Sequence, residues 1–161
     1  ADAYFRAHAI ARASSRLIGM SLGGEDFAMD IGCLPDTDTL LVPKQTVMIA
    51  AKAAGLMAMG FIGTVADYND TEGFRAAIRK SVKFGFDCAS VIHPSGIPIL
   101  NEEFTPTKES FDHARRVIEA YEAARLAGKG AITVDGKMID AASERMANNV
   151  LSVADAIAAK G

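Results

Sequence analysis

Tryptophan is absent from this 161-residue chain, cysteine occurs twice and proline five times. Two cysteines cannot build a disulfide framework, and Cys33 and Cys88 have no metal-like spacing. They read as buried small apolar residues in a reducing, cytoplasmic setting. No apolar run reaches the length that crosses a bilayer, so no membrane partner is expected. Neither sign of charge dominates: 17 basic residues face 20 acidic ones, a net charge of −3. That balance argues against a nucleic-acid or anionic-membrane partner. Internal repeats and low-complexity segments are also missing. The chain starts Ala1-Asp2-Ala3-Tyr4-Phe5, without Met and in mid-helix by its pattern, which predicts a piece of a longer polypeptide. These residues have neither the basic start nor the long apolar core of a signal peptide.

Half the residues are apolar, enough to bury a core. Residues 3–13 read as a helix, and 17–22 as a strand buried on both faces because its apolar run does not alternate. Pro43 suits a first helical turn, with Val47, Ala50, Ala51 and Ala54 at helical spacing and Gly55 just past the end. Residues 57–62 read as a second strand and 64–69 as a loop. Asp70 caps a helix carrying Phe74, Ile78 and Val82, which Gly85 ends. A third strand spans 88–92. Strand–helix–strand–helix–strand is a parallel α/β pattern. Pro106-Thr107 then opens a long helix with Phe111, Ala114, Ile118 and Tyr121 on one face. Asp135-Gly136 signals a β-hairpin within 131–139, and a final helix carries Met146, Val150, Val153 and Ile157. Three strands cannot close a barrel, which needs eight and usually about 250 residues.

Three segments carry more chemistry than the rest. Leu17 to Gly32 runs from an apolar stretch into Gly23-Gly24-Glu25-Asp26, two carboxylates just past a strand's C-terminal end, where α/β enzymes place their chemistry. A hard cation such as Mg²⁺ takes oxygen ligands of that kind. The second segment is Val91-Ile92-His93-Pro94-Ser95-Gly96-Ile97, and the third is Val134-Asp135-Gly136-Lys137-Met138-Ile139-Asp140. In this order and at about this spacing they resemble the citrate lyase β-subunit-like family. That family is the acyl-CoA lyase branch of the HpcH/HpaI aldolase superfamily and includes malyl-CoA and citramalyl-CoA lyases. The resemblance covers the whole chain but only the C-terminal half of a usual member. It implies an α/β fold: residues 1–105 as the last three strands of a TIM (β/α)8 barrel, and 106–161 as a C-terminal helical lid with a β-hairpin.

The resemblance also implies site roles. Asp26 matches a Mg²⁺ ligand, against the plainer role of a turn or helix-cap aspartate. Its partner glutamate would precede Ala1. Gly24, Glu25 and Asp26 would receive the carboxylate of a keto-acid substrate on backbone N–H groups. Asp30 reads as a solvated carboxylate. Ile92, His93 and Pro94 would lie near a coenzyme A site, with a strand-end histidine of equal weight for His93. Gly96 replaces a glutamine frequent in the family. Asp140 would act as acid/base on the acetyl-CoA methyl carbon of a neighbouring subunit, and it is also an ideal N-cap. Ala141-Ala142 stand where the family often has proline. Asp67 is a weak ligand candidate. Lys44 replaces an arginine, whose bidentate fork it cannot reproduce. His8 and His113 read as surface residues.

The implied activity is Mg²⁺-dependent cleavage or formation of a 3-hydroxyacyl-CoA thioester of the malyl, citramalyl or citryl type, in a homotrimer or hexamer. A thioesterase and a CoA-independent aldolase are the enzymatic alternatives. Gly24-Glu25-Asp26 favours the CoA branch, because the aldolases carry Pro-Asn-Asp there. A non-catalytic half-barrel binding or assembly module is the alternative of another class.

Overall fold

The computed structural model describes residues 1–64 and 70–159. Contacts divide the chain into two units, Ala1–Phe104 and Thr105–Gly161.

The first unit opens with α1 (Asp2–Phe5) and α2 (Ala7–Ala11). The single helix expected over 3–13 is broken at Arg6, where ψ rises to 8°. Ala7 then packs on Val47 and Ala50. The strands are shorter than their apolar runs. Strand β1 is Gly19–Met20 and pairs in parallel with β2, Met57–Ala58. The expected third strand is a single parallel bridge, Met59 to Cys88. An apolar run supplies burial, but only a neighbour's ladder makes it a strand. Past β2, Ile62 is fully buried yet donates its N–H to the Ser81 hydroxyl at 2.8 Å.

Helix α3 is Gly24–Ile31, closed by Gly32 at φ 77°. Helix α4 is Thr37–Ala53. Pro43 therefore lies inside α4, not in its first turn, correcting the sequence reading. The start is fixed upstream by a capping box: Asp36 Oδ1 accepts from Asp38 N and Thr39 N, both at 2.9 Å, and Asp36 N donates to Thr39 Oγ1. That reciprocal cap outweighs proline's preference for the first turn. Leu40, Lys44, Val47, Met48 and Ala51 form the buried face of α4. Gly55 follows at φ 74°, as its C′ position requires.

Helix α5 (Thr71–Phe84) is capped by Asp70, which accepts from Gly73 N at 2.9 Å, and stops at Gly85, φ 98°. Helix α6 (Gly96–Phe104) was not legible as a helix. Arg75 and Arg79 of α5 reach Glu103 of α6 at 2.6 and 2.7 Å. The core of this unit is Met48, Ala51, Ala58, Ile62 and Phe86. Cys33 and Cys88 are half-buried thiols rather than core residues, a second correction. Each lies just past the end of a helix or at the sheet edge, where packing is incomplete.

In the second unit Thr107 caps α7 (Lys108–Leu126), accepting from Ser110 N at 3.1 Å. Strands β3 (Ile132–Val134) and β4 (Lys137–Ile139) pair antiparallel. Asp135 at φ 49° and Gly136 at φ 76° form the turn, the two positive angles that an Asp-Gly hairpin adopts. Helix α8 is Ala141–Ala158. Ala114, Val117, Tyr121, Ile139 and Ala147 make the core. Among the described residues no helix is long and apolar enough to cross a membrane.

Candidate active site

The stretch after β1 forms the first turn of a helix. Gly23 is the N-cap of α3 and offers no side chain to it. The N–H groups of Gly24, Glu25 and Asp26 belong to the first turn of α3 and point out of its N-terminus. Glu25 and Asp26 lie in that turn, where a carboxylate is favoured by the helix dipole. Asp26 is exposed. Its Oδ2 lies over Gly23, 3.6 Å from where a Cβ would stand.

Gly24 is buried for a reason different from ligand approach. A Cβ there would lie 2.9 Å from Leu40 Cδ1 and 3.0 Å from Lys44 Cε. The glycine lets α3 start directly against α4. Glu25 is half-buried and its Oε1 accepts from the Thr64 hydroxyl at 2.8 Å. Lys44 is buried, and its Nζ donates to the carbonyls of Phe61, at 2.9 Å, and Gly63. Burial pushes the Lys44 ammonium below the ordinary lysine range, and the charge of Glu25 opposes that shift. Sequence reasoning gave Thr64 no role and read Lys44 only as the replacement for an arginine, not as a buried tie between segments. The signal for Lys44 was available: it stands one turn after Leu40 on the buried face of α4.

Thr64 also lines a pocket with Phe61, Phe74, Ile92, His93 and Ile99. Thr64 therefore connects the carboxylates at α3 with Ile92 and His93. Pro94 is exposed and does not line that pocket. His93 Nδ1 lies 2.8 Å from the Ser95 hydroxyl and accepts from Ser95 N at 3.3 Å. A ring nitrogen that accepts a backbone N–H carries no proton, so in neutral His93 the proton sits on Nε2. Asp67 lies outside the described residues. Asp70 is the cap of α5, and Asp30 is exposed. His8 is exposed, whereas His113 is half-buried with Nδ1 3.2 Å from Asp135 Oδ2. It is held there by the hairpin turn.

Asp140 belongs to the second unit. Its Oδ1 accepts from Ala142 N at 2.9 Å, Ser143 N at 3.0 Å and Ser143 Oγ at 3.1 Å. Those bonds, the Ser143 N–H foremost, hold its carboxyl below the usual carboxylate range. All three fall on one oxygen, which leaves Oδ2 outside the cap.

The donor chemistry suits a magnesium ion in part. Asp26 offers exposed, hard oxygen atoms, as Mg²⁺ requires with water completing its shell. Two carboxylates at one helix start would repel an anionic substrate unless a cation lay between them. Among the described residues no group of three or more His, Cys, Asp or Glu side chains gathers to hold an ion by itself.

Comparison with known proteins shows which family the chain resembles. The HpcH/HpaI aldolase/citrate lyase family matches residues 1–94. Citrate lyase subunit beta from Escherichia coli strain K12 is 39% identical over 152 residues, 93% of this chain and 50% of that protein. Mitochondrial citramalyl-CoA lyase from Mus musculus is 37% identical over 140 residues, 86% of this chain and 41% of that protein. The crystal structure of CitE from Mycobacterium tuberculosis, in complex with magnesium, acetoacetate and coenzyme A, matches with a TM-score of 0.76 at 29% identity. It covers 94% of this chain and 57% of that one. The chain spans about half the length of the curated relatives it matches.

Proposed function

Because this chain belongs to the HpcH/HpaI aldolase/citrate lyase family, we propose that it forms part of a Mg²⁺-dependent carbon–carbon lyase acting on a 3-hydroxyacyl-CoA thioester. Malyl-, citramalyl- and citryl-CoA are the candidate substrates. The first unit then belongs to a (β/α)8 barrel and the second is its lid, in a cytoplasmic homo-oligomer. The observation that carries this reading is the start of α3. There Gly23 adds no side-chain cap to the helix start and Asp26 presents an exposed carboxylate beside it.

In this reading the N–H groups of Gly24, Glu25 and Asp26 receive the substrate's carboxylate, as helix starts receive anions. Asp26 holds the metal. Mg²⁺, when bound, supplies a Lewis acid for a carbonyl oxygen. Glu25, tied to Thr64, fixes the first turn of α3. Ile92 and His93 face the coenzyme, His93 through its Nε2 proton. Asp140, from a neighbouring copy, takes a proton from the acetyl-CoA methyl group in condensation and returns it to the enolate carbon in cleavage. The bonds from Ala142 and Ser143 keep Asp140 ionised and make it a weaker base than a free carboxylate.

Incubating the protein with each of the three thioesters, with Mg²⁺ and with excess chelator, tests the reading. Release of acetyl-CoA and a keto acid in the first case alone is the expected result. Free CoA with an intact hydroxy acid would mean a thioesterase, and no turnover in the intact polypeptide would mean a binding module.

A further inference from the structure

Among the described residues Lys44 is the only buried charged side chain, and the chemistry above leaves it without a role. Its Nζ joins two separate pieces of backbone. On one side it donates to the carbonyls of Phe61 and Gly63, in the segment that leaves β2 and ends at Thr64. On the other it lies 3.2 Å from where a Cβ on Gly24 would stand, against the first turn of α3. The Phe61 ring lies 5.2 Å from the ammonium. Thr64 and Glu25, the residues that this ammonium brackets, bond each other at 2.8 Å.

We propose that Lys44 is a positioning residue, locking residues 61–64 to the start of α3 and so fixing Thr64, Glu25 and the helix N–H groups at the spacing the substrate's carboxylate needs. The inference rests on the reading of α3 as the substrate-carboxylate site. A neutral side chain of similar length would leave two buried carbonyls without a donor. An arginine would satisfy them from a planar fork in place of a single ammonium.

The test uses the full-length protein and the variants Lys44→Met, Lys44→Arg and Glu25→Gln. Steady-state kinetics are read at a temperature where circular dichroism shows each variant folded. Lys44→Met should raise KM for the acyl-CoA and lower kcat, together by roughly a hundredfold in kcat/KM, the scale of a misplaced site. Lys44→Arg should recover part of the loss. A folded Lys44→Met with unchanged kcat and KM would overturn the proposal. If Lys44→Met does not fold, Lys44→Arg and the lysine titration decide. Lysine-ammonium NMR should show Lys44 titrating below the ordinary range, and lower still in Glu25→Gln, because the charge of Glu25 opposes the effect of burial. An unmoved titration would show that Lys44 and Glu25 are not coupled and would sink the proposal. If the wild type cleaves no acyl-CoA, the lyase reading fails by itself, and the titration alone decides whether Lys44 is coupled to α3.

Discussion

Gly24 and Leu40 stand so close that a methyl group on Gly24 would come within 2.9 Å of Leu40 Cδ1. Leu40 is fully buried and Lys44, next along, is pinned by two carbonyls, so neither side chain has room to yield. Helix propensity favours alanine over glycine by roughly 0.5–1 kcal/mol, while overpacking costs about 1–3 kcal/mol. Packing wins. Gly24→Ala should lower stability by about 1–2 kcal/mol in a denaturant titration. Gly23→Ala is the control. Its Cβ would meet only Asp26 Oδ2, at an ordinary 3.6 Å, so it adds no clash, and its loss should be limited to the roughly 1 kcal/mol by which alanine is the poorer N-cap.

Asp26 is exposed, so Asp26→Asn should leave the melting temperature alone. It removes an anionic ligand from a site with few protein ligands. Mg²⁺ affinity should fall at least tenfold and turnover should nearly vanish. Mg²⁺ titration followed by calorimetry measures the first directly. Equal affinity in both proteins would take Asp26 out of the metal site.

Local signals were read from the sequence where the local chemistry alone decides. Asp70 and Gly85 bound α5, Thr107 caps α7, and Asp135-Gly136 turns the hairpin. Each rests on a side-chain cap or a positive φ that few residues supply. Strand length was not legible, because it depends on which neighbour pairs with which residue. Ile62 and Phe61 are as buried as any strand residue and yet lie outside the ladder. Helix α4 was displaced because Pro43 looked like a start while the capping box at Asp36 lay seven residues earlier. At the site, Glu25 and Asp26 were found but not the helix that they head. The glycines were read as room for a ligand's close approach, whereas Gly24 serves contact between α3 and α4. Thr64 and Lys44 reach Glu25 and Gly24 across the fold, a relation no spacing along the chain reveals.

The pair of arginines on Glu103 gives the first unit a pH dependence of known sign. Bonds from Arg79 and Arg75 hold the Glu103 carboxyl below its ordinary value of 4.5. A depressed carboxyl stabilises the fold above its unfolded pKa and loses that contribution as pH falls through the folded value. Thermal melts from pH 7 to pH 3 should therefore show a drop beginning below about pH 4.5. Glu103→Gln should lower the melting temperature at pH 7 and flatten the drop. A variant with the same acid profile as wild type would show that other carboxylates carry it.

Asp140 tests catalysis and assembly together. As a cap, asparagine replaces aspartate with little loss, so Asp140→Asn should melt near wild type while Asp140→Ala melts lower. As the acid/base, asparagine cannot carry the proton, and Asp140→Asn should cost about 10²–10⁴ in kcat. CoA binding should change little. The two roles separate cleanly: a folded Asp140→Asn protein with full activity would leave Asp140 as a cap alone. If Asp140 serves a neighbouring copy, co-expressing Asp140→Asn with Asp26→Asn should restore part of the activity. A mixed oligomer then pairs one intact metal site with a neighbour's intact Asp140. No rescue in verified mixed oligomers would place Asp140 within its own subunit's chemistry or outside the chemistry altogether.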